Sequence, residues 1–203
     1  MAAMNPFTSD HREFDSLTFT SISYQQQTVT ERTFEDCQFL NCTLRQIAFK
    51  ACTFRNCVFR ATDLSLASVV DCIFTTTVFK DSQLIGINWT EANWHQRGFL
   101  HPIDFFNCVL NYATFFGLDL TQVKLTGCLA KEVDFAEANL TGAICRETDF
   151  SGSRFLHTNL TKADFSGAQN YAIAATTNTL KQAKFSLPEA MSLLYGLDIE
   201  LTE

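Results

Sequence analysis

The sequence predicts an all-β fold: a four-sided parallel β-helix of about eight coils, closed by a short C-terminal helix. Three observations carry this. First, every fifth residue from Phe14 to Phe99 is large and apolar: Phe14, Phe19, Tyr24, Val29, Phe34, Phe39, Leu44, Phe49, Phe54, Phe59, Leu64, Val69, Phe74, Phe79, Leu84, Trp89, Trp94 and Phe99. Neither the helix period of 3.6 nor the strand period of 2 generates such a series, so the chain is an internal repeat. Second, centres twenty apart share character. Phe14, Phe34, Phe54, Phe74 and Trp94 make one wholly aromatic column, and Phe19, Phe39, Phe59, Phe79 and Phe99 the next. A twenty-residue subperiod over a five-residue step requires four sides per coil. Third, the position two before each centre is mostly small, as at Cys37, Cys42, Cys52, Cys57, Thr62, Ala67, Cys72, Thr77 and Ser82. It forms a second inward column.

Residues 1–13 stand outside this lattice and are expected to cap the first coil, whose backbone would otherwise be an open edge. Phe7 and Phe14 are the side chains available to cover its apolar end. From 14 to 99 each pentapeptide supplies one short side and a corner. Asp or Asn just before the centre, as at Asp63, Asn88 and Asn93, can bond the neighbouring backbone there. Near residues 100–104, at His101-Pro102-Ile103-Asp104, the phase slips by one. Centres resume at Phe105, Leu110, Phe115, Leu120, Leu125, Ala130, Phe135, Leu140, Cys145, Phe150, Phe155, Leu160 and Phe165. One inserted residue is expected, in a bulge at Pro102, which has no ladder donor. On that reading the first column continues as Phe115, Phe135 and Phe155. His95 and His101 flank the slip and read as solvated surface.

The repeat domain spans 14–168, and 169–203 closes the last coil. Ser186 and Glu189 fit a capping box, Pro188 a first helical turn and Gly196 a C-terminal stop. Leu187, Ala190, Met191 and Leu194 recur at helical spacing as one apolar face, with Leu193 and Tyr195 off it. Leu197-Asp198-Ile199-Glu200-Leu201 alternates like a terminal strand. Leu187, Ala190, Met191, Leu194, Leu197 and Ile199 are accordingly the candidate homodimer interface.

Composition narrows the function. The formal charge is −7, with 10 acids and 8 bases in residues 1–100 and 12 acids and 7 bases in 101–203. Phosphate binding needs clustered Lys and Arg, so nucleic acid is not the expected partner, whereas a basic protein surface is allowed. No apolar run is long enough to span a membrane. The first ten residues lack a basic-then-apolar leader, so a cytoplasmic protein is expected. Of eight cysteines, seven sit in the inner small slot and Cys145 on a centre. They read as buried thiols that pack like Ala and Thr, with no zinc spacing among them. No phosphate loop or nucleophile elbow is present, so no catalytic, cofactor or metal site is expected and the chain reads as a non-enzyme.

Outward acids are the candidate partner-binding residues. Glu31, Asp71, Glu91 and, counting one inserted residue, Glu132 fall at one outward position of the fourth face, interrupted by Ala51 and Tyr112. Asp36 and Glu137 take the equivalent position on the first face. Bases favour the slot after the centre, as at Arg45, Lys50, Arg55, Arg60 and Lys80.

The unit (A/C/T)-(D/N)-(F/L)-x-x resembles the pentapeptide-repeat family, whose fold is a right-handed quadrilateral β-helix. Two segments are more specific: Ala183-Lys184-Phe185-Ser186-Leu187-Pro188-Glu189-Ala190 with the ending Leu197–Leu201, and Gly86-Ile87-Asn88-Trp89-Thr90 followed by Trp94. They resemble the albicidin-resistance members, which group with the quinolone-resistance and microcin B17 immunity types. The resemblance implies a cytoplasmic dimer joined through its C-terminal ends. Its implied partner is DNA gyrase, met at the DNA-binding surface of the A subunit by a rod that mimics duplex DNA. A single inserted residue would leave no projecting loop of the quinolone-resistance kind, pointing to immunity against a peptide-like gyrase toxin. The alternative is an interaction scaffold with a different protein partner.

Overall fold

A computed structural model describes residues 5–94, 103–197 and 199. Phe99, His95, His101, Pro102 and the terminal residues Asp198, Glu200 and Leu201 lie outside the described residues.

Each pentapeptide forms one side of a coil, and the coils stack through parallel ladders. Three-residue strands pair in register: Glu13–Asp15 with Thr33–Glu35, then Thr53–Arg55, then Ile73–Thr75. A second wall runs Thr18–Thr20, Gln38–Leu40, Val58–Arg60, Thr77–Lys80, Ile103–Phe106 and Leu125–Thr126. A third stacks Thr28–Thr30, Ala48–Lys50 and Ser68–Val70. Partners in the first four coils are twenty apart, for instance Phe14 with Phe34 and Phe39 with Phe59. The coil is therefore four pentapeptides long. Side chains alternate with the pleat: the centre points in and its neighbours point out, so Phe34, Phe39, Phe54 and Phe59 are essentially sealed. Stacked centres lie face to face, with ring centroids 5.2 Å apart for Phe34–Phe54 and 4.5 Å for Phe39–Phe59. Offset stacking of this kind suits the ring quadrupole.

The small inner slot has a second job. Its hydroxyl or thiol donates to the carbonyl of a centre one coil below and to a carbonyl of its own coil. Thr62 Oγ1 reaches Phe39 O at 3.2 Å and Arg60 O at 3.1 Å, and Cys57 Sγ reaches Phe34 O at 3.4 Å and Arg55 O at 3.3 Å. All eight cysteines are free and buried. Burial pushes the Cys57 and Cys128 thiols up to about 12 and Cys108 to about 11.

The insertion is longer than the phase suggests. Phe79 pairs with Phe105, and bridges join Gln83 to Val109 and Asn88 to Thr114, each 26 apart. Trp94 still lies over Phe74, so six residues, not one, enter between Trp94 and Phe105. One and six are the same slip in a five-residue repeat, and only register separates them. The columns shift accordingly. Phe115 stacks on Trp89 (5.9 Å, 8°), and Phe135 and Phe155 follow it. The aromatic column thus continues the Val29, Phe49, Val69, Trp89 side, and not that of Phe14 as the sequence suggested.

At the ends, Phe7 is buried and stacks on Phe39 at 6.1 Å and Tyr24 at 5.3 Å. Arg32, in an inner slot, donates to Ser9 O and His11 O at 2.8 and 2.7 Å, tying this segment to the first coil. At the other end Lys184–Phe185 pairs with Asp164–Phe165. The final helix, Glu189–Leu197, is 3₁₀. The expected capping box does not form. Asn170 N–H donates to Glu189 Oε1 at 2.6 Å, and Gly167 N–H to Ser186 Oγ at 3.1 Å. Both side chains satisfy donors on the open edge of the last coil, which offers them partners the helix's own N-terminus does not.

Candidate interaction face

Corners set the geometry of the surface. Among the described residues, the residue two after a centre takes φ between about +50° and +70° at all corners but Glu91, which lies in a 3₁₀ turn, and 24 residues in that φ range are not glycine. That left-handed region costs an L-residue energy unless the surroundings enforce it. Here the ladder does: Glu31 N–H donates to Lys50 O, Asp36 N–H to Arg55 O and Glu132 N–H to Ser151 O. Asx bonds brace the adjoining residue, with Ser65 N–H donating to Asp63 Oδ1 at 2.9 Å and Thr90 N–H to Asn88 Oδ1 at 3.1 Å. Every corner side chain is thereby aimed outward in a row along the rod.

The six acids singled out by sequence are all exposed, but they do not line up as expected. The true register puts Glu31, Ala51, Asp71, Glu91, Gly117 and Glu137 on one edge. Glu137 belongs with Glu31, Asp71 and Glu91. Glu132 does not: it follows Leu66, Gly86 and Tyr112 on the adjacent edge, with Gly152 above it. Asp36 stands on a third edge, with Ser16 and Asn56. Both corrections come from the six-residue insertion, which moves later residues one side round the coil. Arg12 pairs with Glu31 at 2.6 Å, both side chains well exposed. Glu91, within the short 3₁₀ turn Trp89–Glu91, accepts from Asn88 Nδ2 at 3.2 Å and Ser68 Oγ at 3.4 Å.

Elsewhere on the rod acids and bases pair between coils. Arg146 holds Asp164 at 2.7 Å and Lys131 approaches Asp149 at 3.3 Å. Although burial opposes ionisation of both carboxyls, hydrogen bonds win and bring each down to about 2. The donors are Ser151, Asn170 and Lys131 for Asp149, and Arg146 and Ser166 for Asp164. These pairs tie successive coils together.

Of the candidate dimer residues, Leu187, Met191, Leu197 and Ile199 are exposed, Leu187 at 77%, while Ala190 and Leu194 are half-buried. Tyr195, 79% exposed, joins the outer set, and Leu193 packs against the core. The 3₁₀ winding redistributes the helix faces. Beside the helix, Ser151, Gly152, Tyr171, Ile173, Ser192 and Tyr195 line an open groove of about 640 Å³. Among the described residues no His, Cys, Asp or Glu cluster could hold a metal, and no helix is long and apolar enough to cross a membrane.

Sequence reasoning placed Tyr112 in an outward slot, as an interruption of the acid row, but overlooked Phe116; the two are 61% and 43% exposed. A signal existed for Phe116, which follows the centre Phe115 in an outward slot that carries Thr30, Lys50, Val70 and Thr90 in earlier coils.

Comparison with known proteins agrees with this architecture. The family model for the pentapeptide repeat region matches residues 32–115, and that for eight copies of the pentapeptide repeat matches 131–167. Together they take in more than half of the chain. Two structures of QnrB1, a plasmid-mediated fluoroquinolone resistance protein, share the fold. A trypsin-treated variant superposes with TM-score 0.64 at 16% identity, over 98% of this chain and 96% of that one. The full-length form gives 0.55 at 17% identity, over 90% of this chain and 100% of that one. No curated protein matches by sequence. At these identities the likeness is one of fold.

Proposed function

The chain belongs to the pentapeptide-repeat family, and from that premise we propose that it is a DNA-mimicking protein. On this reading it binds DNA gyrase at the DNA-binding surface of the A subunit and confers resistance or immunity to gyrase-directed toxins such as albicidin. The observation that carries the reading is the edge formed by Glu31, Asp71, Glu91 and Glu137, held outward on a rigid ladder. A row of fixed carboxylates on a straight rod presents a basic groove with what a phosphate backbone presents. Electrostatic attraction of this kind favours fast association and is weakened by salt. The length of the insertion removes the objection that the chain has no room for a projecting loop, so quinolones join albicidin and microcin B17 among the agents to be tested. The exposed set Leu187, Met191, Tyr195, Leu197 and Ile199 supports a homodimer through the C-terminal ends, which would double the rod.

Gyrase supercoiling, titrated with this protein alone and with albicidin, a quinolone or microcin B17 added, tests the proposal. Inhibition at high protein, with restored supercoiling at some lower ratio in the presence of one agent, is expected. No effect on gyrase under any condition would remove gyrase as the target.

A further inference from the structure

The side bounded by the acidic edge carries more than charge. Across four successive coils it consists of residues 66–71, 86–91, 112–117 and 132–137, stacked by bridges from Asn88 to Thr114 and from Thr114 to Asp134. Within these segments stand five acids, Asp71, Glu91, Glu132, Asp134 and Glu137, and no Lys or Arg. Bases border the wall on either end: Lys50 lies one coil below, and Arg154, one coil on, pairs with Asp134 at 3.3 Å, while Lys131 turns to Asp149 on the neighbouring side. At the middle of this wall the third coil interrupts the acids with Tyr112 and Phe116, separated by Thr114. Phe116 is the only exposed phenylalanine among the described residues. Apart from Tyr195 on the C-terminal helix, Tyr112 and Phe116 are the only exposed Phe, Tyr or Trp rings among the described residues, and the only ones standing on the ladder itself.

We propose that this wall is the docking face for a basic protein surface, with arginine or lysine side chains of that partner laid on the rings of Tyr112 and Phe116. The inference rests on the gyrase reading above and deepens it, since a surface that accepts duplex DNA is rich in such side chains. The two kinds of group divide the work. Acids above and below the rings attract the partner and set its approach, acting mainly on the association rate. The rings supply apolar area and cation–π contact, and aromatic anchors at the centre of an interface act mainly on the lifetime of the complex. Duplex DNA has no counterpart to these anchors on its phosphate rail, so the face would grip its partner by something beyond mimicry.

The test measures association and dissociation rates of the full chain on immobilised gyrase A subunit at low and moderate salt. Tyr112→Gln with Phe116→Thr uses residue types that the same slots carry at Gln26, Gln46, Thr30 and Thr90. The coil is thereby preserved, and an unchanged melting temperature verifies it. The expected result is dissociation at least tenfold faster with association little altered. Glu91→Gln with Glu137→Gln should instead slow association and flatten its salt dependence. If the aromatic pair variant dissociates at the wild-type rate, the anchoring role is overturned while gyrase binding stands. If the unaltered protein does not bind gyrase at all, the functional reading fails and this inference with it.

Discussion

A single buried ring carries much of the stability available to one coil. Phe54 touches Phe34 below, Phe74 above and Phe49 and Phe59 beside it, at centroid distances of 5.2 to 5.5 Å. Truncation to alanine leaves a cavity that neighbouring ladders cannot collapse into. Phe54→Ala should cost about 3–5 kcal/mol in denaturant titration. Charged residues act at the same scale. Asp149 and Asp164 ionise near 2 when folded, below the usual carboxylate value of about 3.9. The folded chain therefore binds fewer protons between those values, so their contribution is present above about pH 4 and is lost as pH falls through 2. Asp164→Asn should flatten that part of a melting-temperature profile against pH. The same slope in variant and wild type would assign the acid sensitivity elsewhere.

At the scale of the element, the corner is the strained part and the ladder is what enforces it. Thr76, β-branched and exposed, holds φ +51°, a conformation glycine adopts freely. Thr76→Gly should raise stability by about 1 kcal/mol in urea titration, unlike glycine in an ordinary strand. The reverse change at Gly127 would place a Cβ 2.5 Å from Asn107 Oδ1, so the Asn107 side chain would have to turn away. The C-terminal helix is the other element with a consequence. Met191→Arg with Tyr195→Arg should give a monomer by sedimentation velocity, and a persistent dimer would place the interface elsewhere. Sequence periodicity assumed α-helical spacing and grouped Met191 with Leu194. The 3₁₀ turn instead exposes Tyr195 and turns Leu193 inward, because the open edge of the last coil captures Ser186 and Glu189 before they can cap a helix.

Across the whole molecule, five-residue periodicity was enough to read the four sides, the inner slot and the place of every cysteine. The inner slot and the cysteines follow from the alternation of the pleat, and the four sides from the twenty-residue subperiod of the aromatic centres. Register across the insertion was not legible, because one and six residues produce the same phase and any of the four columns accepts a phenylalanine. That ambiguity moved Glu132 and Glu137 onto the wrong edges and set Tyr112 in the row of Glu31, Asp71 and Glu91, one edge away from its own. With register known, one wall holds five acids and no Lys or Arg over residues 66–71, 86–91, 112–117 and 132–137, with Tyr112 and Phe116 standing in the coil that has no acid. On the proposed reading, that face meets a basic partner and the C-terminal end meets a second copy. A fluorescent duplex bound to gyrase, challenged with this protein, tests the mimicry most directly. If the acidic wall occupies the duplex site, the protein displaces the DNA, and Glu91→Lys with Glu137→Lys abolishes displacement at unchanged melting temperature. A ternary complex of gyrase, duplex and protein, or displacement by the charge-reversed variant, contradicts it.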